Sequence, residues 1–350
     1  MQVEHTNVFY FKSINAIGGV ESFFYYLSKL YKNMVVYYNV ADEEQIKRIA
    51  ENIEVHKWNG ETIKCKRFFG NYGLDILDYV DAEEKYFVIH CDYKRNKLCK
   101  PIVYPGFKYI AVSELARRSF YEMTGIDAEV IYNPVAIDKP KNVKKKKGLH
   151  LIVCSRLSSE KGGWRYDKLA ELLDNKGIKY DMTIYSNKTK KVDFGRPNVI
   201  LKEPKLYLGK EMAESTYLVQ LSDHEAFGLS PAEALTLGTP VIVTDIEAFH
   251  EIGCKDGENA IFVDLDMLNV DIDRIVKGLP KFTYNPPKSN WDKYLDNNST
   301  YNPNDLVEVT VLKRKYFDIE LKQWFTYGDK ALMTKKRKAY LEAKGFVEWK

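Results

Sequence analysis

At 350 residues, with 45% hydrophobic and 29% charged side chains, the chain is long enough for two domains with cores of their own and too apolar to be disordered. The net charge of +4 is too small to argue for nucleic acid by itself, but it is unevenly placed: residues 308–350 hold 11 Lys and Arg against 6 Asp and Glu, so the basic excess lies in the tail. Five scattered cysteines (Cys65, Cys91, Cys99, Cys154, Cys254) form no C-x-x-C pair, which argues against a disulfide framework or zinc site and for a reducing compartment. The N-terminus carries no signal-peptide pattern and no stretch is apolar for the ~18 residues a membrane span needs, so a cytoplasmic location is expected.

In chain order, residues 7–11 read as a strand, 20–31 as a helix and 34–38 as a second strand. Buried strands follow at 86–90 (YFVIH) and 109–112. The spacing predicts a helix over 113–124, with Ser113 as its N-cap and Gly125 beyond its end. Such β-α-β alternation implies parallel strands covered by helices. Residues 132–148 hold two prolines and the run Lys144–Lys147 and read as a linker with solvated lysines. A second alternation begins at 149, with strands at 149–154, 180–185, 217–221 and 240–243 and helices at 164–173 and 231–237. Residues 284–304 are rich in Pro, Asn and Ser and break the pattern. Beyond them, 306–316 is expected to be extended. Thr334 caps a helix over 335–344, Gly345 stops it, and 346–349 form a closing strand. The expected domains are therefore 1–135, a linker at 136–148, 149–283, a connecting return at 284–306, and a small basic α+β module at 307–350.

The chemistry concentrates in two segments. The stretch DHEAFGLSPAEALTLGTP (223–240) places Glu225 and Glu233 eight residues apart. Ser230, Pro231 and Glu233 fit a capping box, in which Glu233 would only cap its own helix. Yet the segment follows a parallel strand, where open α/β sheets bind ligands, and the helix N-terminus that follows suits a phosphate. The second segment, SRLSSEKGG (155–163), sets Arg156 and Lys161 after another strand. They are either ordinary surface cations or a pair that neutralises a diphosphate.

Together, Ser-Arg-Leu-x-x-Glu-Lys-Gly, Glu225-x7-Glu233 enclosing Phe227-Gly228-Leu229, and Ala234-Leu235-x-x-Gly238-x-Pro240 through Asp245 resemble the family 4 retaining glycosyltransferases. Glu251-Ile252, Asp256-Gly257-Glu258-Asn259, Ala111 to Glu114 and Tyr132 to Val135 extend the likeness, which is good over 111–263 and loose before it. The resemblance implies an α/β chain of GT-B fold, with two Rossmann-like domains facing across a cleft, the first on the acceptor side and the second binding a nucleotide-sugar donor. The family's commonest donors make a UDP-sugar the expected one, with no obligatory metal or other cofactor.

By the same resemblance, Arg156 and Lys161 hold the donor diphosphate, Glu233 the ribose, and Glu225 the transferred sugar, with Phe227, Gly228, Leu229 and Ser230 around them. Gly18 and Gly19 resemble the family's glycine-rich loop, and His90 stands where a histidine lies near the donor sugar. Glu225, Arg156, Lys161 and His90 form the expected catalytic set. The reaction implied is transfer of a hexose to an acceptor hydroxyl on a glycan, lipid, protein or modified DNA, by same-face substitution.

The chain departs from the family pattern at Ser155, Ala226, Glu247, Ala248 and His250, and the changes at Glu247-Ala248 and His250 bear on the choice of sugar. Asp264-x-Asp266 and Asp271-x-Asp273 fall after the donor motifs and do not read as a metal pair. The tail resembles small modules of phage and prophage proteins. Its lysines and aromatics admit docking, self-association or contact with DNA carrying a hydroxylated base. A degenerate, non-catalytic sugar- or partner-binding scaffold is the other alternative.

Overall fold

The computed structural model describes residues 4–96, 99–187 and 194–349, which fall into two compact units. The first comprises Met1–Ile89, Ile102–Ile110 and Asn290–Lys350, and the second His90–Pro101 and Ala111–Ser289.

In the first unit, strands lie side by side in the order Glu54–Lys57, Met34–Tyr38, Glu4–Phe11, Ile63–Asn71, Val80–Ile89 and Lys108–Ala111, and the first five pair in parallel. Val8 to Phe11 and Met34 to Tyr38 are buried on both faces, as a parallel sheet between layers requires. The core is aromatic. Phe9 stacks on Phe69 at 4.5 Å and Phe69 on Tyr86 at 5.0 Å. Trp291, fully buried, wedges against Phe9, Phe23 and Phe69 at 5.5–5.8 Å. The return segment is thus fastened here by one large side chain.

Sequence reading missed the helix Glu43–Ala50 and the strands Glu54–Lys57 and Ile63–Asn71. The last, IKCKRFFGN, interleaves Lys64, Lys66 and Arg67 with apolar residues and ends on Asn71, so it lacks a long continuous apolar run.

The tail belongs to this unit. Residues 306–316 are not one extended run: Leu306–Val311 pairs antiparallel with Lys330–Thr334 and Val347–Glu348, and Lys315–Asp318 pairs with Gln323–Thr326 in a separate hairpin. Thr334 caps the helix Lys335–Ala343, accepting the Arg337 N–H, and Gly345 follows in the left-handed region. That helix covers the sheet's edge strand, Glu54–Lys57, which would otherwise offer unpaired backbone to any passing strand. The cover is polar at its centre. Lys338 and Glu342, both nearly buried, pair at 2.9 Å; Trp349 stacks on His56 and lies under the Lys338 ammonium.

The second unit carries a six-stranded parallel sheet in the order Val199–Lys202, Tyr180–Tyr185, Leu149–Cys154, Tyr217–Gln220, Val241–Thr244 and Ala260–Val263. The expected linker has no helix or strand from Tyr132 to Gly148 and its lysines are exposed as expected, but the head group of one of them is anchored. The Lys145 ammonium reaches the Ser215 carbonyl at 2.7 Å and the Thr239 hydroxyl at 3.0 Å, and burial lowers its pKa.

Two loops at the carboxyl ends of adjacent strands are pressed together. Gly162 sits in the left-handed region (φ 69°), and a Cβ there would lie 1.9 Å from the Leu221 carbonyl oxygen, so only glycine fits. The nearly buried Arg165 fixes the same crossing. Its guanidinium donates to the carbonyls of Leu221 (3.0 Å) and Leu265 (2.6 Å) and pairs with Asp223 at 2.6 Å. The Asp223 N–H donates to the Glu160 carbonyl at 2.9 Å.

Two mutational outcomes follow from this packing. Gly162→Ala destabilises by more than about 2 kcal/mol in urea unfolding, whereas Gly177→Ala, also left-handed but with open space around it, loses only about 1 kcal/mol. Lys338→Met alone strands a buried carboxylate and costs about 3 kcal/mol or more, while Lys338→Met with Glu342→Leu recovers most of it.

Candidate active site

The strands Leu149–Cys154 and Tyr217–Gln220 run side by side, so the loops leaving their carboxyl ends emerge together. The first loop makes a single 3-10 turn, Ser159–Lys161, which Gly162 closes. That turn directs the Lys161 ammonium onto Glu225 of the second loop at 2.7 Å, with both side chains only 16% exposed. The same carboxylate oxygen of Glu225 accepts the Ser222 hydroxyl at 2.8 Å and the Gln220 amide at 3.2 Å. Gln220 also reaches the hydroxyls of Ser222 (2.7 Å) and Ser155 (3.3 Å). Glu225 is thus held from three sides through Oε1, and Oε2 takes none of these bonds.

Gln220 and Ser222 are members of the site that sequence reading missed. The available signal was a polar residue closing the apolar strand YLVQ, followed by a serine two positions on. Arg165 was missed as well; on an amphipathic helix, nothing in its sequence setting separates it from a surface arginine.

Arg156 stands apart from this network. Its side chain is 66% exposed and leans on Glu160 at 3.5 Å. The helix Leu229–Thr236 starts earlier than expected, and Ser230 is not its cap. Gly228, left-handed at φ 91°, occupies the N-cap position, because a Cβ there would press on the Phe249 ring at 3.0 Å and the chain turns on the glycine itself. Ser230, now inside the first turn, donates to the Cys154 carbonyl at 3.5 Å instead. The capping box is therefore not formed, and the helix opens without a side-chain cap. Glu233 is buried on that helix close to Cys154, whose thiol is pushed well up by burial and then by the Glu233 charge. Phe227 and Leu229 are buried.

His90 immediately follows the strand Val80–Ile89, and burial pulls its imidazole down to about 3. Gly18 and Gly19 lie in the first unit, where Gly18 is the N-cap of the helix Gly19–Leu30 in extended conformation. The nearby Glu21 carboxylate accepts the Ala16 N–H at 3.4 Å, and burial raises its pKa.

The departures from the family pattern have local partners. Glu247 pairs with Arg118. His250 stacks on Phe262 at 4.4 Å and meets Asp245 at 2.6 Å. Glu251 accepts the N–H groups of Glu114 and Leu115, so its carboxylate caps the helix Glu114–Thr124 together with Ser113. The aspartates of the two Asp-x-Asp pairs have structural work of their own: Asp271 caps the helix Ile272–Lys277, Asp273 pairs with Lys176, and Asp264 and Asp266 fix the intervening turn. Among the described residues, no three His, Cys, Asp or Glu side chains gather as metal ligands, and no helix is long and apolar enough to cross a membrane.

Comparison with known proteins bears on this arrangement. The family model "Glycosyl transferases group 1" matches residues 196–294, a segment that includes Glu225 and Glu233 but not Arg156 or Lys161. Comparison with curated protein sequences gives no match. Among solved structures, WaaG, a glycosyltransferase involved in lipopolysaccharide biosynthesis, is 14% identical with a TM-score of 0.55, over 78% of this chain and 89% of that one. Alr3699/HepE of Anabaena, solved with UDP and glucose, is 14% identical with a TM-score of 0.53, over 74% and 86%. TarM is 19% identical with a TM-score of 0.47, over 73% of this chain; the chain spans about half of TarM's length, 50%. The fold is that of the GT-B glycosyltransferases, two parallel α/β units with a C-terminal module of antiparallel strands, and the matched segment of the second unit carries both glutamates of the site.

Proposed function

We propose that the protein is a retaining, metal-independent hexosyltransferase that uses a UDP-sugar and an acceptor hydroxyl. The observation that carries this reading is Glu225, held by Lys161, Ser222 and Gln220 at the strand ends beside a helix that opens uncapped. A carboxylate fixed through one oxygen keeps the other for the hydroxyls of a sugar. The presence of UDP and glucose in the HepE structure, a GT-B neighbour, supports the donor class.

In the reaction, the bond between the anomeric carbon and the β-phosphate oxygen breaks and a bond to the acceptor oxygen forms on the same face. The acceptor proton passes to the departing phosphate. Negative charge grows on the diphosphate, and Lys161, Arg156 and the N-terminus of the helix Leu229–Thr236 oppose it with charges and dipoles already in place. Glu233 takes the ribose hydroxyls. Gly18 and Gly19 let backbone N–H groups approach the substrate closely. His90, uncharged above about pH 4, offers a hydrogen bond and not a proton.

A panel of nucleotide sugars tests the reading by thermal shift and by release of UDP without acceptor. A UDP-sugar is expected to raise Tm by mass action. Glu233→Ala should weaken UDP binding by about tenfold or more, the loss of a charged hydrogen-bonding partner. Glu225→Ala uncovers the Lys161 charge and so should not weaken UDP binding, while it should cut turnover by about a hundredfold. If no nucleoside diphosphate is released from any donor and Glu225→Ala changes nothing, the chain is a sugar- or partner-binding scaffold.

The pH dependence has a definite sign. The folded His90 pKa of about 3 lies below the ordinary 6.5, so the unfolded chain takes up this proton first as pH falls. His90's contribution to stability is complete above about pH 6.5 and is lost progressively toward pH 3. His90→Gln should flatten that part of a stability–pH curve, and the rate profile should show no inflection near 6.5 from this residue.

A further inference from the structure

We propose that the hairpin formed by Lys315–Asp318 and Gln323–Thr326 is a docking element that seats the protein on an anionic lipid surface. In this hairpin Tyr316, Asp318 and Phe325 point inward to the small core of the tail, while Lys315, Phe317 and Trp324 point outward. Phe317 and Trp324 are direct cross-strand partners with ring centroids 5.3 Å apart, and they are 41% and 59% exposed. The turn adds Ile319 (75% exposed) and Leu321, and Tyr327 (72% exposed) follows the second strand. Scattered single apolar side chains on a surface need no explanation, but several on one short hairpin, two of them in ring contact, do.

The charges around the patch are sorted. Asp318 is fully buried, salt-bridged to Arg337 at 3.1 Å, and accepts the N–H groups of Glu320 and Leu321, both at 2.9 Å. Glu320 pairs with the same arginine at 3.4 Å. The one guanidinium offsets the buried Asp318 and leans on the exposed Glu320, and the turn that presents Ile319 and Leu321 is built on the Asp318 carboxylate. The exposed cations Lys313, Arg314, Lys315 and Lys322 remain, with the Lys315 ammonium 4.8 Å over the Trp324 ring.

Aliphatic side chains at the leading edge, amphipathic aromatics behind them and long cationic side chains around them match the layers of a lipid interface: hydrocarbon, headgroup boundary and anionic phosphate. Nucleic acid or a sugar polymer would use the aromatics and cations but gives Ile319 and Leu321 nothing to bury against.

Co-sedimentation of the full chain with vesicles tests this. Binding is expected to vesicles containing about one-third phosphatidylglycerol, weakly if at all to pure phosphatidylcholine, and to fall with added salt. Ile319→Ser with Trp324→Ala should lower the partition coefficient about tenfold or more. Lys315→Ala with Lys322→Ala should lower it about fivefold per lysine. Tm and donor hydrolysis should stay unchanged in all of them, since these side chains are exposed and outside the proposed site. Equal binding to neutral and anionic vesicles would overturn the proposal. So would Ile319→Ser/Trp324→Ala binding like the unmodified protein, or preferential capture of the chain by duplex DNA or by a second copy of itself.

Discussion

The site rests on one close approach of backbone to backbone. Where Gly162 passes the Leu221 carbonyl, there is no room for a single carbon atom beyond the main chain. A turn that tight fixes where Lys161 ends and therefore where its ammonium can reach. Because Leu221 follows directly on the strand bearing Gln220, the same crossing sets the height of the loop that holds Ser222, Asp223 and Glu225. Arg165 satisfies the Leu221 carbonyl at this crossing, so the backbone does not trade a polar contact for proximity. The three bonds to Glu225 are then a consequence of loop placement more than of any choice its own rotamer makes.

A different constraint governs the first unit. Its sheet ends in a short edge strand, Glu54–Lys57, and the chain uses its own last helix as a cover. The return segment makes this possible, since Trp291 is seated in the aromatic core and Tyr301 donates to the Ala50 carbonyl at 2.5 Å before the tail strands begin. The cover includes a buried ion pair where an apolar pair would serve stability at least as well. Lys338 and Glu342 also bind His56 and the Lys57 N–H, at 3.4 Å each, so the pair fixes the register of helix on strand. Apolar side chains would cover the same area without choosing one alignment.

Much of this was legible from pattern. The continuous apolar run at 34–38 and the apolar-rich segments at 149–154 and 180–185 are parallel strands, and Ser113 with its hydroxyl and Gly125 with its left-handed backbone bracket their helix. The illegible parts share a physical cause. The strand Ile63–Asn71 is interrupted by Lys64, Lys66 and Arg67, which break its apolar run. Ser230 satisfied every local rule for an N-cap, yet a glycine two residues earlier could adopt a conformation serine resists, at a place where a Cβ would press on Phe249. Gln220 and Ser222 acquire meaning only once two distant loops are known to touch. Local rules read backbone preference well and read coincidence in space not at all.

The pairing of Lys161 with Glu225 bears directly on the proposed chemistry. A lysine beside a carboxylate brings no net charge to the site, so a diphosphate entering it meets less attraction than a free cation would exert. Arg156 is more exposed and only loosely engaged by Glu160. A division of labour follows under the proposed reaction. Arg156, on the open side, supplies attraction for the incoming donor, and Lys161, fixed at 2.7 Å from Glu225, supplies position. As the sugar leaves the phosphate, charge builds within reach of an ammonium already held in place, which is where preorganisation acts most strongly. Removing Glu225 would therefore do two things at once: take away a partner of the sugar and release the lysine that the leaving phosphate needs.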